Sequence, residues 1–141
     1  MRFAIVAARF NEHIVTKLLD GALTTLKENG AKEHHIDVHW VAGAFELPII
    51  AERIASRKTH DAIIALGCVV RGDTPHFEYV AGAAATGLEQ VARSYQLPVT
   101  FGVLTTNTFE QAEARAGGSH SHAGVSAALT AIQTANLLKQ L

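Results

Sequence analysis

The sequence has very little cysteine, no excess of charge of either sign and no long apolar run. Cys68 is the only thiol in 141 residues, so no disulfide can form within the chain, and we expect a protein of a reducing compartment, the cytoplasm. Lysine and arginine together number 12 against 13 acidic residues. No large basic face can result, and nucleic acid is not expected as a partner. The longest apolar run in the interior of the chain, residues 62–66, is far shorter than the roughly 18 residues of a membrane span, so no membrane association is expected.

Hydrophobic residues are plentiful, at 48% of the chain. A chain of this length buries roughly 68–70% of the surface that its unfolded form exposes, which is enough for a core without disulfides or a structural metal. No repeat, linker or low-complexity segment interrupts the sequence. We therefore expect residues 1–141 to form a single domain.

Short continuous apolar runs alternate with longer stretches in which apolar residues recur every three or four positions. The runs predict four strands, at residues 3–7, 36–41, 62–70 and 99–104. The longer stretches predict helices at 12–29, from about 46, at 76–95, at 110–116 and at 125–138. Asn11 is expected to cap the first helix and Gly30 to end it, while Pro48 fits the first turn of the second. The alternation predicts an α/β fold, a flavodoxin-like three-layer α/β/α sandwich with a four-stranded parallel sheet.

Several helix residues carry individual expectations. The helical spacing predicts that Phe77 and Val80 are buried in the third helix and Leu129 in the last. Gly82 and Gly87 lower the helix propensity of the third helix by about 1 kcal/mol each relative to alanine. We expect them to allow close contact between helices of neighbouring subunits, with an exposed face that tolerates glycine as the alternative.

Polar and aromatic residues follow the predicted strands. Ligands of open parallel sheets bind outside the carboxyl ends of the strands, so these residues are candidates for a site. Phe10 follows the first strand, and its phenyl face suits stacking on a flat heterocycle, although ordinary packing would also explain it. Glu46 follows the second strand, where it either binds a ligand or interacts with the dipole of the helix that it starts.

The segment at residues 72–76, after the third strand, predicts an anion-binding helix start. Thr74 is expected as the N-cap and Pro75 as the first helical residue, which leaves the preceding N–H groups and the positive end of the dipole free for an anion. The dipole disfavours a charged imidazole at His76, so this residue is expected to transfer protons as the neutral base, or else only to brace the loop. Asp73 adds negative charge, so an anion there needs a cation from elsewhere, for which Arg115 is the candidate.

Other motifs do not support metal or nucleotide chemistry. His120 and His122 resemble a fragment of a metal site, but no cysteine and no further clustered histidine accompanies them. The sequence has no glycine-rich dinucleotide or Walker loop and no nucleophile elbow. Cys68 lies in a strand predicted to be buried, where it is interpreted as an inert apolar residue. We expect neither a metal nor a cofactor.

Five segments of the chain together resemble the lumazine synthase family of riboflavin biosynthesis. They are ARFN at 8–11, GAFELP at 43–48, LGCVVRGDTPHFEYV at 66–80, FGVLT at 101–105 and EARAG at 113–117. The resemblance implies a transferase that condenses 5-amino-6-(D-ribitylamino)uracil with 3,4-dihydroxy-2-butanone 4-phosphate to 6,7-dimethyl-8-ribityllumazine, releasing phosphate and water, without metal or organic cofactor. It also implies a homo-oligomer, either a pentamer or an icosahedral shell of twelve pentamers, with active sites between neighbouring subunits.

The resemblance implies a role for each matching position. The residues that would bind the aminouracil are Phe10, Ala44, Phe45, Glu46, Cys68, Val69 and Val70, together with Phe101 of the adjacent subunit. Phe10 would stack on the pyrimidine, Glu46 would bind ribityl hydroxyls, and the backbone at 68–70 would read the ring edge. The residues that would hold the phosphate are Asp73, Thr74 and Arg115, and His76 would transfer protons.

One departure from the family pattern leaves alternatives open. The family usually has a lysine where this chain has Ala123, so His120 or His122 would have to supply charge near the phosphate, and we expect His122 to do so. If the missing lysine abolishes turnover, the alternative is a non-catalytic flavin-binding or scaffold shell. A further alternative, the related archaeal-type riboflavin synthase, is disfavoured by Phe10 and by the segments 43–48 and 71–76.

Overall fold

A computed structural model describes residues 1–141 and confirms the expected architecture. The four strands are β1 (Phe3–Ala8), β2 (Ile36–Val41), β3 (Ala62–Val70) and β4 (Val99–Thr106), all parallel and in the order β2-β1-β3-β4. The helices are α1 (Glu12–Glu28), α2 (Leu47–Arg57), α3 (His76–Tyr95), α4 (Phe109–Ala114) and α5 (Ala123–Gln140). Single turns of 3-10 helix occupy Glu33–His35 and Ala44–Glu46. The molecule is a flavodoxin-like three-layer α/β/α sandwich.

Alternate residues of the strands pack on opposite faces of the sheet. Ile5 and Ile64 belong to a core with residues of α1 and α5, whereas Val6 and Ile63 belong to a second core with residues of α2 and α3. Both faces of the two central strands are covered, which is why these strands are continuous apolar runs in the sequence.

The structure corrects two predicted helix caps. Asn11 precedes α1 in the left-handed region, with φ of 61°, and its side chain does not cap the helix. Its Nδ2 instead donates a hydrogen bond to the carbonyl of Cys68 at 2.8 Å, which ties the β1–α1 loop to the end of β3. Pro75 rather than Thr74 occupies the N-cap position of α3, and His76 is the first helical residue. No side chain makes a capping hydrogen bond to this helix. Asn11 thus occupies the predicted N-cap position, but the local sequence does not show that its side chain bonds a distant carbonyl instead of the helix.

Most other boundaries were close to their predicted positions. Gly30, with φ of 96°, follows α1 as expected, and Pro48 lies in the first turn of α2. The last helix begins two residues earlier than predicted and ends two residues later.

Burial corrects the predicted inner faces of two helices. Phe77 and Val80 are only half-buried, because they line a cavity beside the sheet, and Leu129 is exposed. A Cβ on Gly87 would lie 2.7 Å from Cγ of Pro48, so the close approach that this glycine permits is between α2 and α3 of one chain rather than between subunits. Gly82 has nothing within 4 Å of such a Cβ.

Charged groups gather at the amino ends of β2 and β3. Nε2 of His60 lies 2.7 Å from the carboxylate of Asp37, and the guanidinium of Arg2 lies 3.5 Å from it. The hydrogen bond from His60 is the main cause that lowers the pKa of Asp37. A carboxyl whose pKa is lowered in the folded state stabilises that state above its unfolded pKa, and the stabilisation is lost as the pH falls through the folded value.

We therefore expect Asp37→Asn to lower the free energy of unfolding at about pH 6, and the difference from the parent protein to close as the pH falls below about 4. Urea denaturation at several pH values measures both quantities. Asp20→Asn, which removes an exposed carboxylate without an ion pair, is the matched control. A difference between parent and Asp37→Asn that stays constant down to about pH 3 would contradict this account.

Candidate active site

A cavity of about 700 Å³ opens at the carboxyl ends of β1 and β3. The connection that leaves β1 leads to β2 on one side, and the connection that leaves β3 leads to β4 on the other side. The chain therefore changes direction between these two strands, and this switch point is where doubly wound sheets bind their ligands.

Most of the predicted site residues line this cavity. They come from the loop after β1, the turn before α2, the end of β3 and the start of α3. These residues are Phe10, Ala44, Phe45, Glu46, Cys68, Val69, Val70, Thr74 and His76. Asp73 lies between two lining residues of the same loop, whereas Phe101 and Arg115 lie outside the cavity. Segments far apart in sequence are thus brought to one place by the strand order.

Exposed aromatic rings surround the cavity. Phe10 is 71% exposed, Phe45 60% and Tyr79 74%. Aromatic side chains this open do not contribute to a core, so ordinary packing does not explain Phe10, whereas a flat ligand ring would cover such faces.

Sequence reasoning missed Tyr79 as a lining residue and assigned Phe77 and Val80 to the core. The helical period contained a signal for Tyr79 and Val80. They stand three and four residues after His76, so they share its side of α3.

The end of β3 offers backbone groups to the cavity. The pairing of β1 with β3 ends at Ala7 and Leu66, while the pairing of β3 with β4 continues to Val70 and Thr106. Residues 67–70 therefore have no strand partner on the β1 side. Hydrogen-bonding direction alternates along a strand, and Asn11 bonds the carbonyl of Cys68 on that side. The backbone of Cys68 and Val70 is thus directed toward the cavity.

Two chemically active side chains of the cavity are unengaged. The half-buried carboxylate of Glu46 makes no hydrogen bond or ion pair with the chain, and neither does the exposed imidazole of His76 at the start of α3. A Cβ on Gly43 would lie at ordinary contact distance, 3.4 Å, from Oε1 of Glu46, so the carboxylate lies beside the turn that Gly43 begins. Both groups are free to bind a ligand.

Arg71 anchors the loop that precedes His76. Its Nε donates a hydrogen bond to Oδ1 of Asn107 at 2.9 Å, and its backbone N–H donates to the carbonyl of Thr106 at 2.8 Å. Its guanidinium lies 4.8 Å from the centre of the Phe77 ring, a cation–π contact. The loop is held between the end of β4 and the first turn of α3.

Arg115 and Phe101 lie on other parts of the surface. Nη1 of the half-buried Arg115 donates to the carbonyl of Gln111 at 3.1 Å, and no carboxylate pairs with this guanidinium. Phe101 is 45% exposed on the edge strand β4, where it lines a groove of about 670 Å³ between the end of α3 and α5. A cation without a carboxylate and an open ring are thus presented away from the cavity of their own chain.

The expectation that His122 supplies charge near a phosphate stays a prediction, and the ring has a structural role of its own. Its Nδ1 accepts a hydrogen bond from the backbone N–H of Val125 at 3.3 Å and so caps α5. A nitrogen that accepts this bond carries no proton, so the ring is neutral in this arrangement. The side chain of the exposed His120 makes no hydrogen bond, and a contribution of charge from it stays a prediction.

The thiol of Cys68 is buried at the inner end of the cavity. Burial raises the pKa of this thiol to about 11. Only the thiolate acts as a nucleophile, so the inert role predicted for Cys68 agrees with its surroundings.

Neither a metal cluster nor a membrane span is present among residues 1–141. No group of three or more histidine, cysteine, aspartate or glutamate side chains comes together in a way that could hold a metal ion. None of the helices combines the length and the hydropathy that crossing a bilayer requires.

The strand order and the cavity at its switch point define a ligand-binding protein of the doubly wound α/β class. The family model described as 6,7-dimethyl-8-ribityllumazine synthase matches residues 1–139 of the chain. The chain belongs to this family of transferases of riboflavin biosynthesis, and the resemblance found in the five sequence segments is confirmed. The family acts on small-molecule substrates and forms oligomers.

Proposed function

We propose that this chain condenses 5-amino-6-(D-ribitylamino)uracil with 3,4-dihydroxy-2-butanone 4-phosphate to give 6,7-dimethyl-8-ribityllumazine, phosphate and water, the penultimate step of riboflavin synthesis. The observation that carries the proposal is the cavity at the switch point. Its wall combines the exposed ring of Phe10, the unengaged carboxylate of Glu46 and the imidazole of His76. These are the groups that a flat ring, a polyol chain and a proton transfer require.

The aminouracil occupies the part of the cavity between the β1–α1 loop and the end of β3. Phe10 stacks on the pyrimidine, and the backbone of Cys68 and Val70 bonds its polar edge. Val69, Ala44 and Phe45 complete the wall, and Glu46 accepts hydrogen bonds from ribityl hydroxyls. The carboxylate is suited to this because it has no partner in the chain to give up.

The phosphate lies at the start of α3. The amides of Asp73 and Thr74 and the positive end of the helix dipole favour an anion there, although the carboxylate of Asp73 opposes it. A cation is therefore needed, and Arg115 is the candidate. Arg115 and Phe101 do not line the cavity of their own chain, so we assign both to the cavity of a neighbouring subunit.

The reaction needs little covalent chemistry from the protein. The 5-amino group of the aminouracil attacks the ketone, and water leaves to form an imine. Phosphate is then eliminated, and the ring closes with loss of water. The substrate brings its own amine, so no lysine or cysteine nucleophile is required, in agreement with a cavity whose one thiol has a pKa of about 11. The chain supplies orientation, proton transfer by His76 and electrostatic stabilisation of the leaving phosphate.

We further propose a single domain that assembles into pentamers or shells of twelve pentamers and acts in the cytoplasm. Sites shared between subunits would account for the exposed rings of Phe10, Phe45 and Phe101, which an isolated chain leaves in water. The mass of the native particle, measured by light scattering or native mass spectrometry, distinguishes a pentamer from a shell.

An activity assay tests the proposed reaction against its two alternatives. Purified protein is mixed with the aminouracil and the butanone phosphate, and lumazine is followed by its fluorescence. Formation of lumazine supports the proposal. Absence of product in a correctly assembled particle would favour a non-catalytic shell, and conversion of lumazine alone to riboflavin would favour an archaeal-type riboflavin synthase.

We expect Arg115→Ala to raise the KM for the butanone phosphate about 10-fold or more and to leave the KM for the aminouracil within about twofold. A hydrogen bond to a charged group contributes about 1.5–3 kcal/mol, and this variant removes one that only the phosphate substrate makes. Steady-state kinetics with each substrate varied in turn measures both constants. Arg57→Ala, which removes an exposed arginine at the end of α2, outside both the cavity and the groove of Phe101, is the control. Equal phosphate affinity in Arg115→Ala and the parent would contradict the assignment.

A further inference from the structure

The imidazole of His122 lies between two glycines from different parts of the chain. A Cβ on Gly21, in the middle of α1, would overlap Cε1 of the ring. A Cβ on Gly117, in the loop after α4, would lie 2.9 Å from Cδ2. The half-buried ring fills the space that the two missing side chains leave, and it joins α1 to this loop.

The same ring caps α5. Nδ1 accepts the N–H of Val125 at 3.3 Å, one of the N–H groups that have no partner inside the helix. This bond requires the neutral tautomer in which Nε2 carries the proton. Within one helical turn of Gly21 the titratable and charged side chains are Lys17 and Asp20, and within four residues of Gly117 they are Glu113, Arg115 and His120. None of them forms a hydrogen bond or an ion pair with the ring, and Lys17 is paired with Glu113 at 3.6 Å.

Backbone hydrogen bonds connect His122 to Arg115. The segment between the two residues folds back on itself, with an antiparallel bridge between Ala116 and His122. The N–H of Gly117 donates to the carbonyl of Ser121 at 2.9 Å, and the N–H of Ala123 donates to the carbonyl of Arg115 at 2.8 Å. A shift of His122 would therefore move the backbone from which the guanidinium extends.

We infer that His122 is a positioning residue that, as the neutral imidazole, holds the segment 115–122 against α1 and so sets the place of the Arg115 guanidinium. The inference rests on the proposed function, in which Arg115 binds the phosphate. His122 then acts through backbone geometry, and its protonation removes the acceptor that the N–H of Val125 needs. Charge on the ring weakens phosphate binding, the opposite of what a charge-donating histidine would do.

Two variants of His122 separate positioning from charge. His122→Ala removes the cap and the ring, and we expect the KM for the butanone phosphate to rise about 5-fold with kcat and the aminouracil KM within about twofold. Asparagine is an N-cap residue that does not titrate, so His122→Asn is expected to keep most of the phosphate affinity at about pH 8. His39→Ala, which removes an exposed histidine on β2 outside this segment and outside the cavity, is the control. Equal losses in His122→Ala and His122→Asn, or no loss in either, would overturn the inference.

The pH dependence gives a readout that a purely structural role would not move. The affinity for the phosphate substrate is measured in the parent and in His122→Asn at each pH, and the ratio of the two is taken. The ionisation of the phosphate affects both proteins equally, so its effect cancels in this ratio. We expect this ratio to be constant in alkaline solution and to fall about 3-fold or more in acid, where a protonated ring can no longer accept the N–H of Val125. A ratio that rises toward low pH would show that His122 donates charge and would overturn the inference.

Two measurements test the positioning role without turnover. Nitrogen-15 NMR of the His122 ring in the assembled parent protein should show the tautomer with the proton on Nε2, and the tautomer with the proton on Nδ1 would overturn the inference. Titration with inorganic phosphate should show weaker binding to Gly21→Ala, in which the ring is displaced, than to the parent. Failure of the proposed function would appear separately, as absence of lumazine formation by a parent protein that passes both tests.

Discussion

Replacing His76 by alanine is expected to lower kcat about 10²-fold and to leave the KM of both substrates within about twofold. General acid–base groups contribute roughly 10² to 10⁴ to rate, and the lower value applies here because the substrate supplies its own nucleophile. His76 opens α3 on the wall of the cavity, and its ring makes no hydrogen bond within the chain. Removal of the imidazole should therefore affect proton transfer without loosening the loop.

Single-turnover kinetics of lumazine formation measures the chemical step for this variant. The pH–rate profile of the parent should contain an ionisation that is absent from the profile of His76→Ala. His39→Ala, which removes an exposed histidine on β2 outside the cavity, is the control. A rise in the KM for the butanone phosphate with kcat unchanged would show that His76 only braces the phosphate loop.

The architecture follows from the sequence because both faces of the central strands are buried. Buried parallel strands must be apolar on both sides, so 62–70 is a nearly unbroken apolar run, and the amphipathic stretches between such runs must be helices that cover the sheet. Once strands alternate with helices, the general rule for strand ends locates the ligand. The sequence therefore predicts that Phe10, Glu46 and His76 lie close together, and the structure places all three on one cavity.

Contacts between distant segments could not be predicted in this way. Asparagine is a common N-cap residue, but the side chain of Asn11 bonds the carbonyl of Cys68, 57 residues away. His122 stands next to Ala123, where the family usually has a lysine, but the sequence does not show that two glycines, one of them about a hundred residues earlier in the chain, receive its ring. In both cases the identity of the residue limits the kind of bond, and tertiary structure selects the partner.

Helical periodicity also does not show whether an apolar face is buried in the core or borders a cavity. Phe77 and Val80 lie on a periodic face of α3, as expected, but toward the start of the helix this face borders the cavity, whereas Ala84, Leu88 and Val91 further along are buried. Periodicity shows which residues share a face of a helix. The length of the sheet determines how much of that face is packed against strands and how much extends past their ends.

The second large effect is expected at the contact between α1 and α5. A Cβ on Gly124 would overlap the carbonyl oxygen of Leu18 and lie 2.8 Å from its carbonyl carbon. Backbone atoms cannot rotate aside as a flexible side chain can, so an alanine here must push the start of α5 away from α1. Overpacking of a core typically costs about 1–3 kcal/mol, and we expect Gly124→Ala to lie near the upper end of this range.

Urea denaturation of Gly124→Ala should thus show a free energy of unfolding lower by about 3 kcal/mol, a large fraction of the 5–15 kcal/mol that is usual for a domain. Ser126→Ala, in the same turn of α5 with an exposed side chain, adds no atoms and should be nearly neutral or slightly stabilising.

The displaced helix start carries His122 and, through the N–H of Ala123, the carbonyl of Arg115. Gly124→Ala should therefore weaken binding of the butanone phosphate more than binding of the aminouracil under conditions in which the variant is folded. Unchanged stability would mean that α1 and α5 can separate without cost. The close packing of these helices would then not be what positions Arg115.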